Sequence, residues 1–352
     1  MQKRDEIKNK VARMIKYALQ SGASDLHIIP KSCPYMRCGH LLQPTELPVL
    51  NEKHTVAMIS SIVNPNDLKK LQENYSVDFV WDIPDLARIR GQAFRQLNGY
   101  AAVLRIVPKV IPTIRELKLP LLIEKISLKK RGIFVVSGPA NSGKTTTIAA
   151  CIDYINTYES AHIITVEDPI EYIQKNKKCL ISQRQLGRDT HTYVDAVISA
   201  LREDPDVILM GEMRDSGSIN AAITAAETGH FVISSIQSLG VLQAIERIIN
   251  FFPANEESEI RNQLSLNLVG VLSQVLLPTP DGLGRCLAFE LLPLLSQMRS
   301  LIRENKMNQL YSQMTLGKKS NCITFKDCIK DLISKNKVDK FFATEMMESF
   351  EA

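Results

Sequence analysis

The sequence has seven cysteines, Cys33, Cys38, Cys151, Cys179, Cys286, Cys322 and Cys328, yet no C-x-x-C pair. That absence removes the zinc-site and thioredoxin-like readings, and an odd, scattered set suits free thiols in a reducing compartment. Long apolar runs are missing too. Nothing approaches eighteen consecutive apolar residues, so no segment is expected to span a membrane. Residues 1–16 mix charges with a short amphipathic pattern and lack an apolar signal core, which predicts a soluble, cytoplasmic chain. Basic residues are not concentrated either. The formal net charge is +5 over 352 residues and the dense clusters are short (Lys129-Lys130-Arg131 and Lys177-Lys178), so no nucleic-acid partner is expected.

What remains is an ordinary globular composition, 45% hydrophobic and 23% charged, long enough for two or three domains with a substantial core. Apolar residues at helical spacing (Ile7, Val11, Met14, Ile15, Ala18, Leu19) predict a helix over 7–20. A strand over Ser24–Ile29, a helix over Lys53–Val63 and strands at Val77–Trp81, Ala87–Leu97 and Ala101–Val107 follow, giving an α+β domain over 1–107. Pro108, Pro112 and Pro120 mark residues 108–120 as a linker. From Leu121 to Phe252 strands and helices alternate, the pattern of a mostly parallel sheet between helix layers. Residues 253–352 read as mainly helical.

The chemistry concentrates in the alternating region. Gly138-Pro139-Ala140-Asn141-Ser142-Gly143-Lys144-Thr145 fits G-x-x-x-x-G-K-[ST] between a buried strand and a helix. Such a loop surrounds phosphates with backbone N–H groups; Lys144 supplies a point charge to the β- and γ-phosphates and Thr145 a hydroxyl for Mg²⁺. Downstream, Val207–Met210 reads as a buried parallel strand ending at Gly211-Glu212. Glu212 is placed to orient the attacking water, with Gly211 where an acidic residue usually stands. Another strand delivers Glu167 and Asp168, with Glu171 beyond, to the same edge. These carboxylates either hold the Mg²⁺ hydration shell or cap the next turn. His230 and Gln237 bracket the strand Phe231–Ile236 and are candidate reporters of the γ-phosphate.

In this order the phosphate loop, the Glu167–Glu171 acidic box, the Leu201–Asp215 stretch and the Thr228–Gln237 box resemble the type II/IV secretion ATPases, most of all those that retract pili in twitching motility. The resemblance extends from Ser21–His27 through Ala87–Arg90, Gln183–Gly187 and Ile245–Pro253 to Gln297–Glu304. It implies an α/β chain with a PAS-like N-terminal domain, a RecA-like P-loop ATPase domain and a helical C-terminal region, assembled as a homohexamer. ATP would bind with Mg²⁺ where the two domains meet, contacted by Thr146 and by Arg88, Arg90 and Arg105. The implied partners are an inner-membrane pilus platform protein and paralogous pilus ATPases. Gln237 stands where the family has a histidine, and Asn98 where it commonly has an arginine. The function implied is ATP-driven pilus retraction. Alternatives are an assembly or secretion ATPase, or a weakly hydrolysing regulatory paralogue. Gln297–Glu304 also reads as an amphipathic helix with Arg299 and Arg303 on one face, either packed in the C-terminal region or serving as a transmission surface.

Overall fold

The computed structural model describes residues 2–39, 41–316 and 321–349. The outer limits expected for the terminal domains, Met1 and Ala352, lie outside the described residues. The chain is α/β and divides into two units, Met1–Val110 with Pro278–Arg285, and Ile111–Leu277 with Cys286–Ala352.

The first unit comprises α1 (Gln2–Gln20), β1 (Ala23–Ile28), β2 (Tyr35–Cys38), β3 (Leu41–Pro44), α2 (Glu52–Ile62), α3 (Pro65–Asn74), β4 (Ser76–Ile83), β5 (Ala87–Gln96) and β6 (Gly99–Pro108). Its six strands form one antiparallel sheet in the order β3-β2-β1-β6-β5-β4. Val11, Met14, Ile15 and Ala18 make one buried stripe on α1, and they share a core with Leu26, Ile89 and Leu104 of the sheet. The helix α3 was not foreseen. It starts on an Asn64 cap with Pro65 in its first turn, but buries only Leu71, so its apolar period is too thin to read.

The second unit contains α4 (Leu121–Ser127), β7 (Gly132–Ser137), α5 (Lys144–Tyr158), β8 (His162–Glu167), β9 (Leu180–Gln185), α6 (Tyr193–Ala200), β10 (Val207–Met210), α7 (Ser216–Glu227), β11 (Phe231–Ile236), α8 (Val241–Ile249), α9 (Glu257–Asn267), β12 (Leu268–Pro278), β13 (Arg285–Pro293), α10 (Ser296–Arg303), α11 (Met307–Leu316), α12 (Phe325–Ser334) and α13 (Lys340–Glu348). The sheet order is β13-β12-β7-β11-β10-β8-β9, parallel from β12 to β9. Alternate residues of each central strand enter different cores. Ile133, Val135, Ile208 and Met210 pack with α6 and α7, while Phe134, Val136, Val207 and Leu209 pack with α5. With both faces covered, these strands are apolar without alternation.

That burial explains a correction. The region 253–352, expected to be mainly helical, also supplies β12 and β13 to this sheet. Leu268–Pro278 is a nearly continuous apolar run buried on both sides, and such a run has no period to separate strand from helix.

Glu290 on β13 ties this region to the sheet. Its buried carboxylate accepts the Val241 N–H at the start of α8 (2.8 Å) and the Phe325 N–H at the start of α12. Burial pushes the carboxyl above its ordinary range, against these two N–H groups, which favour the ionised form. The folded chain therefore holds this proton more tightly than the unfolded chain. Stability from this group is full below the ordinary carboxylate value and declines as pH rises through the raised one. Glu290→Gln is expected to flatten that decline in urea titrations run across pH. Glu290→Leu, which leaves both N–H groups unpartnered, should cost about 2–4 kcal/mol at low pH, and the cost should shrink as pH rises through the raised value.

Candidate active site

The loop between β7 and α5 is shaped by the glycine at its start. Gly138 has φ +151°, and a Cβ there would collide with the Gln274 carbonyl oxygen of β12 and with Ser142 Oγ. Gln274, itself fully buried, donates through Nε2 to the Ser142 carbonyl at 2.7 Å, so β12 braces the loop from behind. Gly143 caps α5 without a side-chain acceptor, so no capping side chain competes for the first-turn N–H groups. Pro139, Ala140 and Asn141 form the exposed crown of the loop. The Lys144 ammonium donates to the carbonyls of Gly138 and Pro139, both at 2.8 Å. Burial pulls it below the ordinary lysine range, partly offset by the charge of Glu212.

Parallel register brings the other groups to the same edge. Val166 pairs with Met210, Met210 with Ser234, and Ile236 with Ser137, so four strands end together above α5. Lys144, Thr145, Glu167, Asp168, Glu212 and Gln237 all line one pocket there. Glu167 is buried, its Oε1 accepting from Thr165 Oγ1 at 2.7 Å and Gln183 Nε2 at 3.1 Å. The loop carrying Glu212 is pinned by Ser235, whose hydroxyl donates to the Gly211 carbonyl (2.6 Å) and whose carbonyl accepts from Met213 N–H (2.8 Å). Gly211 stands at the strand end for a steric reason. A Cβ there would lie 2.9 Å from Tyr193 Oη and 3.2 Å from the Val166 carbonyl. Thr146 shares a hydrogen bond with Tyr172 Oη at 3.1 Å.

His230, the other candidate reporter of the γ-phosphate, does not line this pocket. It precedes β11, and its carbonyl accepts Gly132 N–H at the opening of β7, at the opposite end of the sheet from Gln237. Six strand residues separate that end from Gln237, about 20 Å at 3.3 Å per residue. Its Nδ1 lies 2.9 Å from the Ala225 carbonyl and 3.1 Å from Thr228 Oγ1, a local role at the end of α7.

Arg88, Arg90 and Arg105 sit on the sheet of the first unit. Arg90 pairs with Arg105, and Arg105 with Asp25, so these three side chains share a face with Arg88, two residues from Arg90. Arg88 lies 3.6 Å from Asp82, and Arg105 Nε 3.1 Å from Asp25. Sequence reasoning missed Arg214, Tyr193, Gln183 and Gln274. Arg214 stands inside the quoted Leu201–Asp215 stretch, two residues past Glu212, and that proximity was the available signal. The other three are polar or aromatic residues whose position depends on which strands become neighbours.

Mg²⁺ is suited by hard oxygen donors, few of them from protein when substrate phosphates supply the rest. The Thr145 hydroxyl in the first turn of α5 and the carboxylates of Asp168 and Glu167 line one pocket and fit that chemistry. No group of three or more potential metal ligands occurs among the described residues, so the protein alone offers no closed cage.

A braced phosphate loop on a parallel α/β sheet, with a carboxylate at the end of the strand once removed, defines a P-loop nucleotide hydrolase. The chain belongs to the type II/IV secretion system protein family, which it matches over residues 1–335. It is 39% identical over 335 residues to the type IV pilus retractation ATPase PilT of Pseudomonas aeruginosa, covering 95% of this chain and 97% of that one. It is 42% identical over 300 residues to a twitching motility protein of Neisseria gonorrhoeae, covering 85% of this chain and 80% of that one. A solved structure of the pilus retraction motor PilT with bound ADP superposes with a TM-score of 0.82 at 40% identity, covering 94% of this chain and 95% of that one.

Proposed function

We propose that this chain is an ATP-hydrolysing motor that powers type IV pilus retraction. The observation that carries the reading is the convergence of Lys144, Thr145 and Glu212 on one pocket in a chain 39% identical to a pilus retraction ATPase and 42% identical to a twitching motility protein, each over most of its length. In this reading the backbone N–H groups of Ser142 to Thr146 and the Lys144 ammonium hold the phosphates of ATP. The Thr145 hydroxyl and Asp168 hold Mg²⁺, which neutralises phosphate charge when bound. Glu212 orients a water for in-line attack and accepts its proton as the bond to the γ-phosphorus forms, while ADP leaves with the bridging oxygen.

Residues 1–107 serve as a PAS-like domain joined through 108–120 to a RecA-like ATPase core over 121–252 and a C-terminal region over 253–352. Arg88, Arg90 and Arg105 extend the phosphate contacts in a homohexamer, in the cytoplasm and held at the inner membrane by a pilus platform protein. Gln237 at the pocket edge favours a second reading, a slower paralogue that modulates a more active pilus ATPase, because an amide can donate a hydrogen bond but cannot gain a proton's charge. In a strain deleted for this gene, pili should remain on the surface but fail to retract. Restoration by the wild-type chain and not by Lys144→Ala supports the motor. Loss of pili points to assembly, and unimpaired retraction overturns both readings.

The helix α10 refines how force would leave the ATPase. Arg299 donates to the Ser265 and Leu266 carbonyls at the end of α9, at 2.6 and 2.9 Å, so it holds one helix against another. Arg303 is exposed on the surface. Arg303→Ala is therefore expected to keep ATPase activity and melting temperature while reducing retraction in cells. Arg299→Ala should lower stability by about 1–3 kcal/mol in chemical denaturation, because two bonds from a charged donor are lost.

A further inference from the structure

Two residues beyond Glu212 the chain turns into α7, and Arg214 stands on that turn. Its guanidinium reaches two strand ends at once. Nε donates to Glu212 Oε2 at 2.7 Å, and Nη1 donates to Asp168 Oδ2 at 3.0 Å. Glu212 follows β10 and Asp168 follows β8, which are neighbours in the sheet, so one planar fork links the two acidic edges of the pocket. Behind the fork lies Tyr193, with its ring centroid 5.8 Å from the guanidinium carbon. Its hydroxyl occupies the space that a side chain at residue 211 would need, so the small residue at 211 leaves room for the ring there. The backbone is held as well. Arg214 N–H donates to Ser218 Oγ at 3.1 Å, and Asp215 and Ser218 close a capping box on α7.

These contacts do little for stability. The Arg214 side chain is 46% exposed, and ion pairs at such positions contribute about 1 kcal/mol or less. Their consequence is orientation. One carboxylate oxygen of Glu212 is tethered, which restricts where the other can lie.

We propose that Arg214, backed by Tyr193, is a positioning residue for hydrolysis: it sets the carboxylate of Glu212 and ties it to Asp168. The proposal rests on the ATPase reading above and adds the group through which Glu212 acts. Lysine is only a partial substitute, since an ammonium is a point charge without a fork.

The test uses the full-length protein with wild type and Lys144→Ala run alongside. Steady-state kcat and KM for ATP, equilibrium binding of a fluorescent ATP analogue, and melting temperature are read for Arg214→Gln, Arg214→Lys, Tyr193→Leu and the double variant Arg214→Gln/Tyr193→Leu. Misplacing a catalytic group by about 1 Å costs about 10²-fold, so Arg214→Gln should lower kcat by about 10–100-fold. KM, analogue affinity and melting should stay close to wild type, with Arg214→Lys recovering a fraction of the rate. Tyr193→Leu should fall in the same direction, and the double variant should be no worse than Arg214→Gln, because residues in one chain of contacts are not additive. A kcat for Arg214→Gln within two-fold of wild type overturns the proposal. So does a loss confined to affinity, which would make Arg214 a binding residue. Additive losses in the double variant remove Tyr193 from it. Absence of turnover in wild type would fail the ATPase reading itself, an outcome distinct from these.

Discussion

Lys144→Ala is expected to lower ATP turnover by at least about 10²–10³-fold and nucleotide affinity by about 10–100-fold. The rate estimate follows from removing one preorganised charge from a transition state whose charge spreads over phosphoryl oxygens. The affinity estimate corresponds to one charge-assisted contact in a partly desolvated pocket. The ammonium is already seated at the loop, on the Gly138 and Pro139 carbonyls, and burial disfavours its charged form there. An incoming phosphate offers that charge a better partner. Alanine leaves the loop itself intact, because Gln274 and the Gly138 backbone brace it from β12. Folding should therefore survive, and phosphate release assayed beside analogue binding separates the two losses. Turnover near wild type would remove this loop from catalysis.

Glu212→Gln should behave differently. The amide keeps the size of the carboxylate and can still accept from Arg214, but it is a poor acceptor for the proton of an attacking water. Hydrolysis is expected to slow by about 10²–10⁴-fold with ATP affinity within a few-fold of wild type. The split between rate and affinity carries the assignment. A parallel collapse of both would make Glu212 a structural or metal-binding group. Rapid-quench measurement of the first turnover gives the rate of the chemical step without interference from product release.

These residues were legible in the sequence because their chemistry is local. The phosphate loop needs eight consecutive residues between a strand and a helix, and Glu212 follows a four-residue apolar strand, so both can be read from short windows. The central strands of the second unit were legible for the same reason: each is an apolar run bounded by turns. Long-range pairing was not. Gln274 braces the loop from a strand more than a hundred residues away, and β12 was unreadable because burial on both faces erases its period. The edge strand β9 was missed for the opposite reason, since Leu180–Gln185 is largely polar and only partly buried. His230 shows a further limit. A strand brings both of its ends into a motif, yet only the carboxyl end faces the pocket, and His230 stands at the other one. Arg214 was passed over because its role depends on Asp168 and Tyr193, which only the fold brings beside it.

The measurement that bears most directly on the central claim is a crystal structure of the Glu212→Gln protein grown with ATP and Mg²⁺. Slow hydrolysis should preserve intact ATP. Its triphosphate is expected in the loop between β7 and α5, with the γ-phosphate between Lys144 and residue 212 and the metal beside the Thr145 hydroxyl. ATP bound elsewhere, or a γ-phosphate pointing away from residue 212, would contradict the account.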